Sequence, residues 1–273
     1  TGSVPHTFGV PGVEDHAFFL KTLEEGVALK NHIICCFESA AILPEDGRQR
    51  AYREQLESGQ CGDLDFDERF ALLLDREAAE QDNRRLKTRL KGADLRQAAC
   101  AEDVDYRTVR GLDKGLMQSL LGCDWIRKHH NCLVTGPTGT GKSYLACALG
   151  HQACREGFRV RYYRAPRFFQ ELAVARCAGH CERALRSLLR ADLLILDDWG
   201  TALLSEEQRR DLFEVMEDRY DRRATLITAQ LPVKHWHEAI GDPTLADAIL
   251  DRLIHNAYTI TLKGESMRKK KKT

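Results

Sequence analysis

The chain has 273 residues, enough for one medium domain with a smaller appendage or for two small domains. Its 41 Lys and Arg residues balance its 41 Asp and Glu residues, and a net charge of zero excludes a polycation whose whole surface attracts nucleic acid. Any affinity for nucleic acid must therefore come from local basic patches or from the stacking of several subunits.

Ten cysteines are scattered along the chain and no secretory signal opens it, so we expect reduced thiols in a cytoplasmic protein. Cys177, His180 and Cys181 would supply only half of a zinc site, and we interpret them as structural residues. No apolar run approaches the ~20 residues that a membrane span needs, so no membrane partner is predicted.

The first part of the chain divides into two segments. Residues 1–48 receive no function, because they are either a native extension or translated upstream sequence. Residues 49–95 predict a small helical domain, in which Asp65 can cap a helix that begins at Phe66 and continues to Leu90 with apolar residues at three- and four-residue spacing. The charged faces of this helix are either solvated or contact a partner or DNA.

A glycine-rich loop follows a predicted strand at 131–134 and precedes a predicted helix at 143–156. In this frame backbone N–H groups surround phosphates, the lysine neutralises their charge, and the next hydroxyl ligates Mg²⁺. The N-terminus of the helix adds the positive end of its dipole. The sequence therefore predicts a nucleotide site formed by Gly136, Pro137, Thr138, Gly139, Thr140, Gly141, Lys142 and Ser143, with Ser143 also at the metal.

An acid pair ends the next buried strand. A strand at 158–163 and helices at 166–176 and 181–190 lead to the apolar run at 193–196, which is followed by Asp197 and Asp198. Ligands of open α/β sheets bind at the carboxyl ends of the strands, so Asp197 is the candidate metal ligand. Asp198 is the candidate that activates or positions water, although paired acids also occur in simple turns.

Gln230 ends a fourth predicted strand, at 224–229. Its amide could reach a γ-phosphate or the attacking water, or it could be only a polar residue that terminates the strand.

These elements, in this order, resemble the AAA+ ATPases, and within them the IstB-like transposition helpers of the DnaC/IstB branch. The resemblance extends from about residue 51 to the end of the chain and makes residues 96–273 the AAA+ ATPase domain. The match is carried by Ala51-Tyr-Arg-Glu-Gln-Leu, Gly122-Cys-Asp-Trp-Ile-Arg127, the phosphate loop and residues 193–200. Its narrow signatures are Gln230-Leu-Pro-Val-Lys-His-Trp-His-Glu238 and Gly264-Glu-Ser-Met-Arg268.

The resemblance implies ATP and Mg²⁺ as cofactors and gives several residues roles. Lys142 and Ser143 match the Walker A positions, and Asp197 matches the Walker B metal acid. Asp198 stands where many AAA+ proteins have Glu, a departure that puts fast hydrolysis in doubt because Asp is one methylene shorter.

Three further positions match elements that sense the γ-phosphate. Gln230 matches sensor 1, where Asn is commoner, and Arg268 matches sensor 2. Arg252 matches the arginine finger, which would reach the nucleotide of a neighbouring subunit, unless it forms an ion pair within its own chain.

The implied fold is α/β, a P-loop AAA+ core whose parallel sheet is flanked by helices and which follows a small helical domain. About 45 residues follow Gln230, too few for a four-helix lid, so the lid is expected to be reduced or absent. Trapping of nucleotide should then depend on a neighbouring subunit, and we expect an ATP-dependent homo-oligomer.

The resemblance implies an ATPase that regulates insertion-sequence transposition, assembling on double-stranded DNA and recruiting and stimulating an IstA-like transposase. Three alternatives stay open: a DnaC-type helicase loader that favours single-stranded DNA, a P-loop kinase with an acceptor pocket, and an inactive copy of a mobile-element gene. The basic residues that could contact DNA phosphates are Arg159, Arg161, Arg164, Arg167, Arg183, Arg186, Arg190 and the tail at 268–272.

Overall fold

The computed structural model describes residues 66–267. The chain divides into two compact units, residues 1–83 and residues 84–273, and of the first unit only the beginning of helix α1 (Phe66–Ala93) is described. Helix α1 begins at the predicted residue and ends three residues beyond Leu90. The division falls inside α1, ahead of the boundary expected after residue 95, and a helical domain at 49–95 stays a prediction.

A parallel sheet of five strands forms the centre of the second unit, in the order β2-β3-β4-β1-β5. Four strands lie where the sequence predicts them, whereas the fifth was not predicted. The strands are β1 (Asn131–Thr135), β2 (Val160–Arg164), β3 (Leu193–Trp199), β4 (Ala224–Ala229) and β5 (Ala257–Thr261). This sheet with flanking helices confirms the predicted α/β class.

Helices connect the strands. Besides α1, three helices were predicted: α4, α5 and α6 agree with the sequence prediction to within one residue at each end. The remaining helices were not predicted. In chain order the helices that follow α1 are α2 (Lys114–Leu121), α3 (Asp124–Arg127), α4 (Lys142–Arg155), α5 (Ala165–Cys177), α6 (Cys181–Leu189), α7 (Glu206–Arg219), α8 (Trp236–Ile240) and α9 (Pro243–Ile254), with a 3₁₀ turn at Val233–His235.

Two apolar clusters flank the sheet, because successive side chains of each strand point to opposite faces. Cys132 packs in one cluster with α2, α3, α4 and the end of α1, and Leu133 packs in the other with α5, α7, α8 and α9. Strands β1 and β4 are buried along their whole length, as continuous apolar strands inside a parallel sheet are expected to be.

The strand order determines which residues meet. Strands β3, β4 and β1 are neighbours, so the acid pair at the end of β3, Gln230 after β4 and the glycine-rich loop after β1 lie along one edge of the sheet.

In the described residues no helix follows β5, and the short segment 262–267 returns to the glycine-rich loop. None of the helices in this part of the chain combines the length and the apolar character needed to cross a membrane.

Candidate nucleotide-binding site

The glycine-rich loop joins β1 to α4 and has little room for side chains. Gly136, Gly139 and Gly141 all have positive φ angles, which favour glycine. A Cβ atom added to Gly136 would lie 2.5 Å from the carbonyl oxygen of Leu262. The loop is also tied to the C-terminal segment, because the N–H of Met267 donates to the carbonyl of Gly139 at 2.9 Å.

Lys142 is buried at the first position of α4, and its ammonium group turns back into the loop. The Nζ atom donates to the carbonyl oxygens of Gly136 at 2.7 Å and Pro137 at 2.9 Å. Burial lowers the pKa of Lys142, while the nearby charges of Asp197 and Asp198 oppose this shift. The loop therefore contains one buried cation, at the position where the sequence predicts contact with phosphates.

Asp197 is completely buried and accepts hydrogen bonds from three hydroxyl groups. Ser143 donates to its Oδ1 atom at 2.9 Å, Thr228 donates to the same oxygen, and Tyr162 donates to Oδ2 at 2.6 Å. Burial, followed by the contact with Asp197, raises the pKa of Tyr162, so this hydroxyl stays protonated as a donor. The two predicted metal ligands, Ser143 and Asp197, are thus in direct contact.

A β-bulge explains how two consecutive acids can face one site. Residues 196 and 199 of β3 pair with residues 227 and 229 of β4, so β3 contains one extra residue. Asp198 lies within this bulge at a φ of 61°, and its N–H donates to the Thr228 hydroxyl at 3.1 Å. Neighbours on a regular strand would point to opposite faces, and bulges of this kind redirect side chains beside functional sites.

Two arginines neutralise the acid pair. The Arg164 guanidinium contacts Oδ2 of Asp198 through Nε at 3.1 Å and Nη2 at 3.0 Å. The Nη1 atom of Arg96 lies 3.6 Å from Oδ2 of both Asp197 and Asp198. Because Asp198 is already engaged by guanidinium donors, its role as a base or water-positioning group remains a prediction.

Gln230 lies at the glycine-rich loop, one residue after β4. Its Oε1 atom accepts a hydrogen bond from the Thr138 hydroxyl at 2.8 Å. Gln230 is exposed to solvent beside the glycine-rich loop.

Arg110 stabilises the glycine-rich loop through hydrogen bonds to backbone carbonyls. Its Nη1 atom donates to the carbonyl of Thr140 at 2.9 Å and contacts the Met267 sulfur at 3.0 Å, and its Nη2 atom donates to the carbonyl of Asp105 at 3.0 Å. Burial lowers the pKa of this arginine. A Cβ atom on Gly141 would lie 2.5 Å from the Arg110 guanidinium, so a side chain at this position would displace Arg110.

Arg252 lies at the opposite edge of the sheet from the loop. The Asn131 amide, at the start of β1, donates to the Arg252 carbonyl at 3.0 Å, whereas the loop follows the end of β1, about 13 Å along the strand. The guanidinium forms an ion pair with Glu217, donates to the carbonyl of Ala248 at 2.8 Å and stacks over Phe213. The ion pair within the chain, left open by the sequence, is therefore present, and Arg252 is remote from the loop of its own chain. Arg268 lies outside the described residues.

Most of the predicted DNA-contacting arginines have partners within the chain. The observed pairs are Arg159 with Asp192, Arg161 with the Gly92 carbonyl, Arg164 with Asp198, Arg167 with Glu171 and Arg186 with Glu182. Arg190 is exposed and has no side-chain partner among the residues that the structure describes. The side chain of Arg183 and the tail at 268–272 lie outside the description.

The described cysteines include six free thiols. Burial raises the pKa of Cys132 to about 12 and those of Cys123, Cys147 and Cys154 to about 11, so these groups remain thiols. Within the described side chains, no group of three or more His, Cys, Asp or Glu residues could hold a metal ion.

The side chains of the site determine whether it fits the predicted cofactors, ATP and Mg²⁺. Magnesium ions are commonly held by one or two carboxylates together with the phosphates of the substrate. Here a hydroxyl and a carboxylate are already adjacent, at Ser143 and Asp197, and the loop beside them contains the buried Lys142 ammonium group. The residues present therefore fit a nucleotide with Mg²⁺.

Sequence reasoning identified the loop, Asp197 and Gln230 at this site but missed five supporting residues. Alternation could have indicated Thr228, which lies on β4 two residues before Gln230. The four other supporting residues belong to no sequence motif, because their contacts depend on the packing of segments that are distant in the chain. These residues are Arg96, Arg110, Tyr162 and Arg164.

Comparison with known proteins gives a family match. The family described as IstB-like ATP binding protein matches residues 39–273. The match begins ahead of residue 51, where the sequence resemblance was expected to start, and it includes residues 39–48.

Individual relatives carry descriptions of the same kind. An insertion-sequence ATP-binding protein of Sinorhizobium fredii is 53% identical over 82% of this chain and 91% of its own length. An IS1162 ATP-binding protein of Pseudomonas fluorescens is 50% identical over 68% of this chain and 81% of its own. The IS21 ATP-binding protein of Pseudomonas aeruginosa is 33% identical over 80% of this chain and 82% of its own.

Solved structures are similar in fold. The DnaC helicase loader superimposes with a TM-score of 0.54 at 18% identity, covering 60% of this chain and 97% of that chain. DnaI superimposes with a TM-score of 0.51 at 19% identity, covering 63% of this chain and 90% of that chain. At these identities the similarity concerns the P-loop AAA+ fold alone.

Proposed function

We propose, because this chain belongs to the IstB-like ATP-binding family, that it is an ATPase regulating transposition of an insertion sequence. It assembles with ATP on double-stranded DNA, and there it recruits and stimulates an IstA-like transposase. The observation that carries this proposal is the direct Ser143–Asp197 contact next to a complete phosphate loop. It occurs in a chain whose sequence is 50–53% identical to two insertion-sequence ATP-binding proteins.

Each residue of the nucleotide site has a separate role in this proposal. With nucleotide bound, Lys142 would exchange its two loop carbonyls for phosphate oxygens, and Ser143 and Asp197 would hold Mg²⁺. Bound ATP supplies the phosphoanhydride bond, and Mg²⁺ neutralises part of its charge. Gln230 exchanges the Thr138 hydroxyl for the γ-phosphate or for the attacking water, which Asp198 positions.

The segment after β5 replaces a lid. Met267 donates to the phosphate loop and contacts Arg110, and the next residue in sequence is Arg268. This connection supports a sensor-2 role for Arg268 at the nucleotide.

Assembly completes the site from a neighbouring subunit. Arg252 is too far from its own loop to act there, so a role in ATP hydrolysis requires the nucleotide of a second copy. To reach it, the guanidinium must leave Glu217, which it contacts in the single chain. We therefore propose that the oligomer forms with ATP and that Arg252 is its arginine finger.

DNA binding then depends on the predicted basic residues for which no partner within the chain is described. Arg183, Arg190 and the tail at 268–272 are these candidates, since the five other predicted arginines are paired within the chain. In an oligomer these contacts add along the duplex and produce a steep dependence on salt. The free thiols suit the reducing cytoplasm, where we expect this assembly to act.

The proposal is tested by fluorescence anisotropy of duplex and single-stranded oligonucleotides, with ATP, with ADP and without nucleotide. We expect cooperative binding that prefers duplex DNA and requires ATP. Lys142→Ala should abolish ATP-dependent tight binding, and Lys128→Ala, which removes an exposed lysine without a predicted role, serves as the matched control.

Each other result points elsewhere. Preference for single strands would favour a helicase loader, and a phosphorylated product other than free phosphate would favour a kinase. Absence of binding to both DNA forms would contradict the DNA-regulator proposal. Deletion of residues 269–273 should lower both the affinity for DNA and the dependence of that affinity on salt concentration. Unchanged values would show that the tail is not part of the DNA interface.

A further inference from the structure

One cation at the acid pair, Arg96, takes no part in the proposed nucleotide chemistry. Its Nη1 atom lies 3.6 Å from Oδ2 of Asp197 and 3.6 Å from Oδ2 of Asp198, so a single nitrogen bridges the two carboxylates. Arg164 differs from it, because Arg164 contacts Asp198 alone and does so through two nitrogens. Arg96 is therefore the cation at the point where both acids converge.

The backbone before Arg96 is fixed, whereas its side chain is partly exposed and is held by polar contacts with Asp197, Asp198 and Tyr162. Ala93 is fully buried, the Gly92 carbonyl accepts a hydrogen bond from Arg161 at 2.8 Å, and Leu95 packs closely against Gly150 of α4. The Arg96 side chain itself is 44% exposed. A long side chain that starts from a fixed backbone and ends in solvent can leave the acids without any rearrangement of the core.

We propose that Arg96 is a displaceable counter-ion, which bridges Asp197 and Asp198 in the nucleotide-free protein and leaves them when Mg²⁺ binds with nucleotide. This inference rests on the proposed Mg²⁺–nucleotide site. A guanidinium and a divalent cation at the same carboxylate edge repel each other, and a divalent cation with phosphate ligands competes better for the oxygens.

Without the metal, Arg96 offsets the repulsion between two adjacent carboxylates, one of which is completely buried. Once Arg96 has left, Asp198 keeps Arg164 as its partner, and Asp197 keeps its three hydroxyl donors. The site therefore retains its geometry in both states, and only the bridging cation is exchanged.

The experiment measures Mn²⁺, as a probe for Mg²⁺, by water proton relaxation with the nucleotide-free full-length protein. Arg96→Gln should bind Mn²⁺ about five- to tenfold more tightly than the unsubstituted chain, because a competing charge at 3.6 Å has been removed. Arg96→Lys keeps the charge and should remain close to the unsubstituted protein. Arg167→Gln, which removes an arginine paired with Glu171, should have no effect.

Two results would overturn the inference. Equal Mn²⁺ affinity for Arg96→Gln and the unsubstituted chain would show that Arg96 does not compete with the metal. Tight Mn²⁺ binding that survives Asp197→Asn in the Arg96→Gln background would show that the metal lies away from the acid pair.

A second measurement distinguishes displacement from direct contact with the nucleotide. With Mg²⁺ present, Arg96→Gln should bind a fluorescent ADP analogue at least as tightly as the unsubstituted protein. A tenfold loss would mean that the guanidinium contacts phosphates instead, and would overturn the inference. Since neither assay contains DNA, failure here is separate from failure of the proposed DNA function.

Discussion

Replacing Tyr162 by Phe removes one hydroxyl from the surroundings of Asp197 and leaves the aromatic ring in place. That hydroxyl donates to Oδ2 of Asp197 at 2.6 Å, within a site where the carboxylate has no solvent exposure. A short hydrogen bond to an ionised group is among the stronger kinds in proteins, because the acceptor carries a full charge. The change therefore tests whether hydroxyl donors stabilise the buried acid.

The size of the effect follows from the environment. A hydrogen bond to a charged group contributes about 1.5–3 kcal/mol, and the lost donor leaves one lone pair of Asp197 unsatisfied. For a unit of the size of residues 84–273, a loss of about 2 kcal/mol lowers Tm by about 4–8 °C. The Ser143 and Thr228 donors remain, so the protein should still fold.

The assay is thermal unfolding of the nucleotide-free protein followed by circular dichroism. Tyr163→Phe is the matched control, since Tyr163 is the next residue of β2 and points to the other face of the sheet, away from Asp197. We expect Tyr162→Phe to lower Tm by several degrees more than Tyr163→Phe. Equal Tm values for the two variants would refute the reasoning that the Tyr162 hydroxyl stabilises the acid pair.

Three further changes test other parts of the fold. Gly136→Ala should destabilise the protein by about 2 kcal/mol in urea denaturation, since its φ is 148° and the new Cβ would approach the Leu262 carbonyl; an unchanged midpoint would contradict the close contact. Arg219→Met should cost about 3 kcal/mol or more in the same assay, because the guanidinium is 1% exposed and donates to three carbonyls and the Thr225 hydroxyl; a loss below about 1 kcal/mol would argue against this. Arg252→Ala should keep nucleotide binding and lose ATP hydrolysis, and mixing it with Lys142→Ala should restore part of the activity; two assembling variants that restore none would argue against a role in a neighbouring subunit.

The phosphate loop and its surroundings were predictable because their signals are local. A strand, a fixed glycine spacing and a helix follow one another within 25 residues, and the structure has β1, the loop and α4 in that order. The proximity of Asp197 to Ser143 was also predictable, because both follow parallel strands whose carboxyl ends share one edge.

The supporting residues were not predictable, because they depend on tertiary packing. Arg164 was proposed to contact DNA, yet its guanidinium binds Asp198 as a result of the bulge in β3. Arg110 has no motif, and its role appears only when the loop and Met267 are placed around it. Strand β5 was missed since an edge strand that is only half buried has a weak apolar pattern.

The segment that follows β5 has a consequence for the kinetics of nucleotide exchange. In enzymes with a hinged lid, release of product often waits for the slow swing of a whole domain. Here the wall beside the phosphate loop is a short stretch of backbone, in which the N–H groups of Leu262, Lys263 and Met267 donate to the carbonyls of Thr135, Arg110 and Gly139. Opening this wall requires only local loosening, so ADP should leave the single chain rapidly, and long residence times should belong to the oligomer.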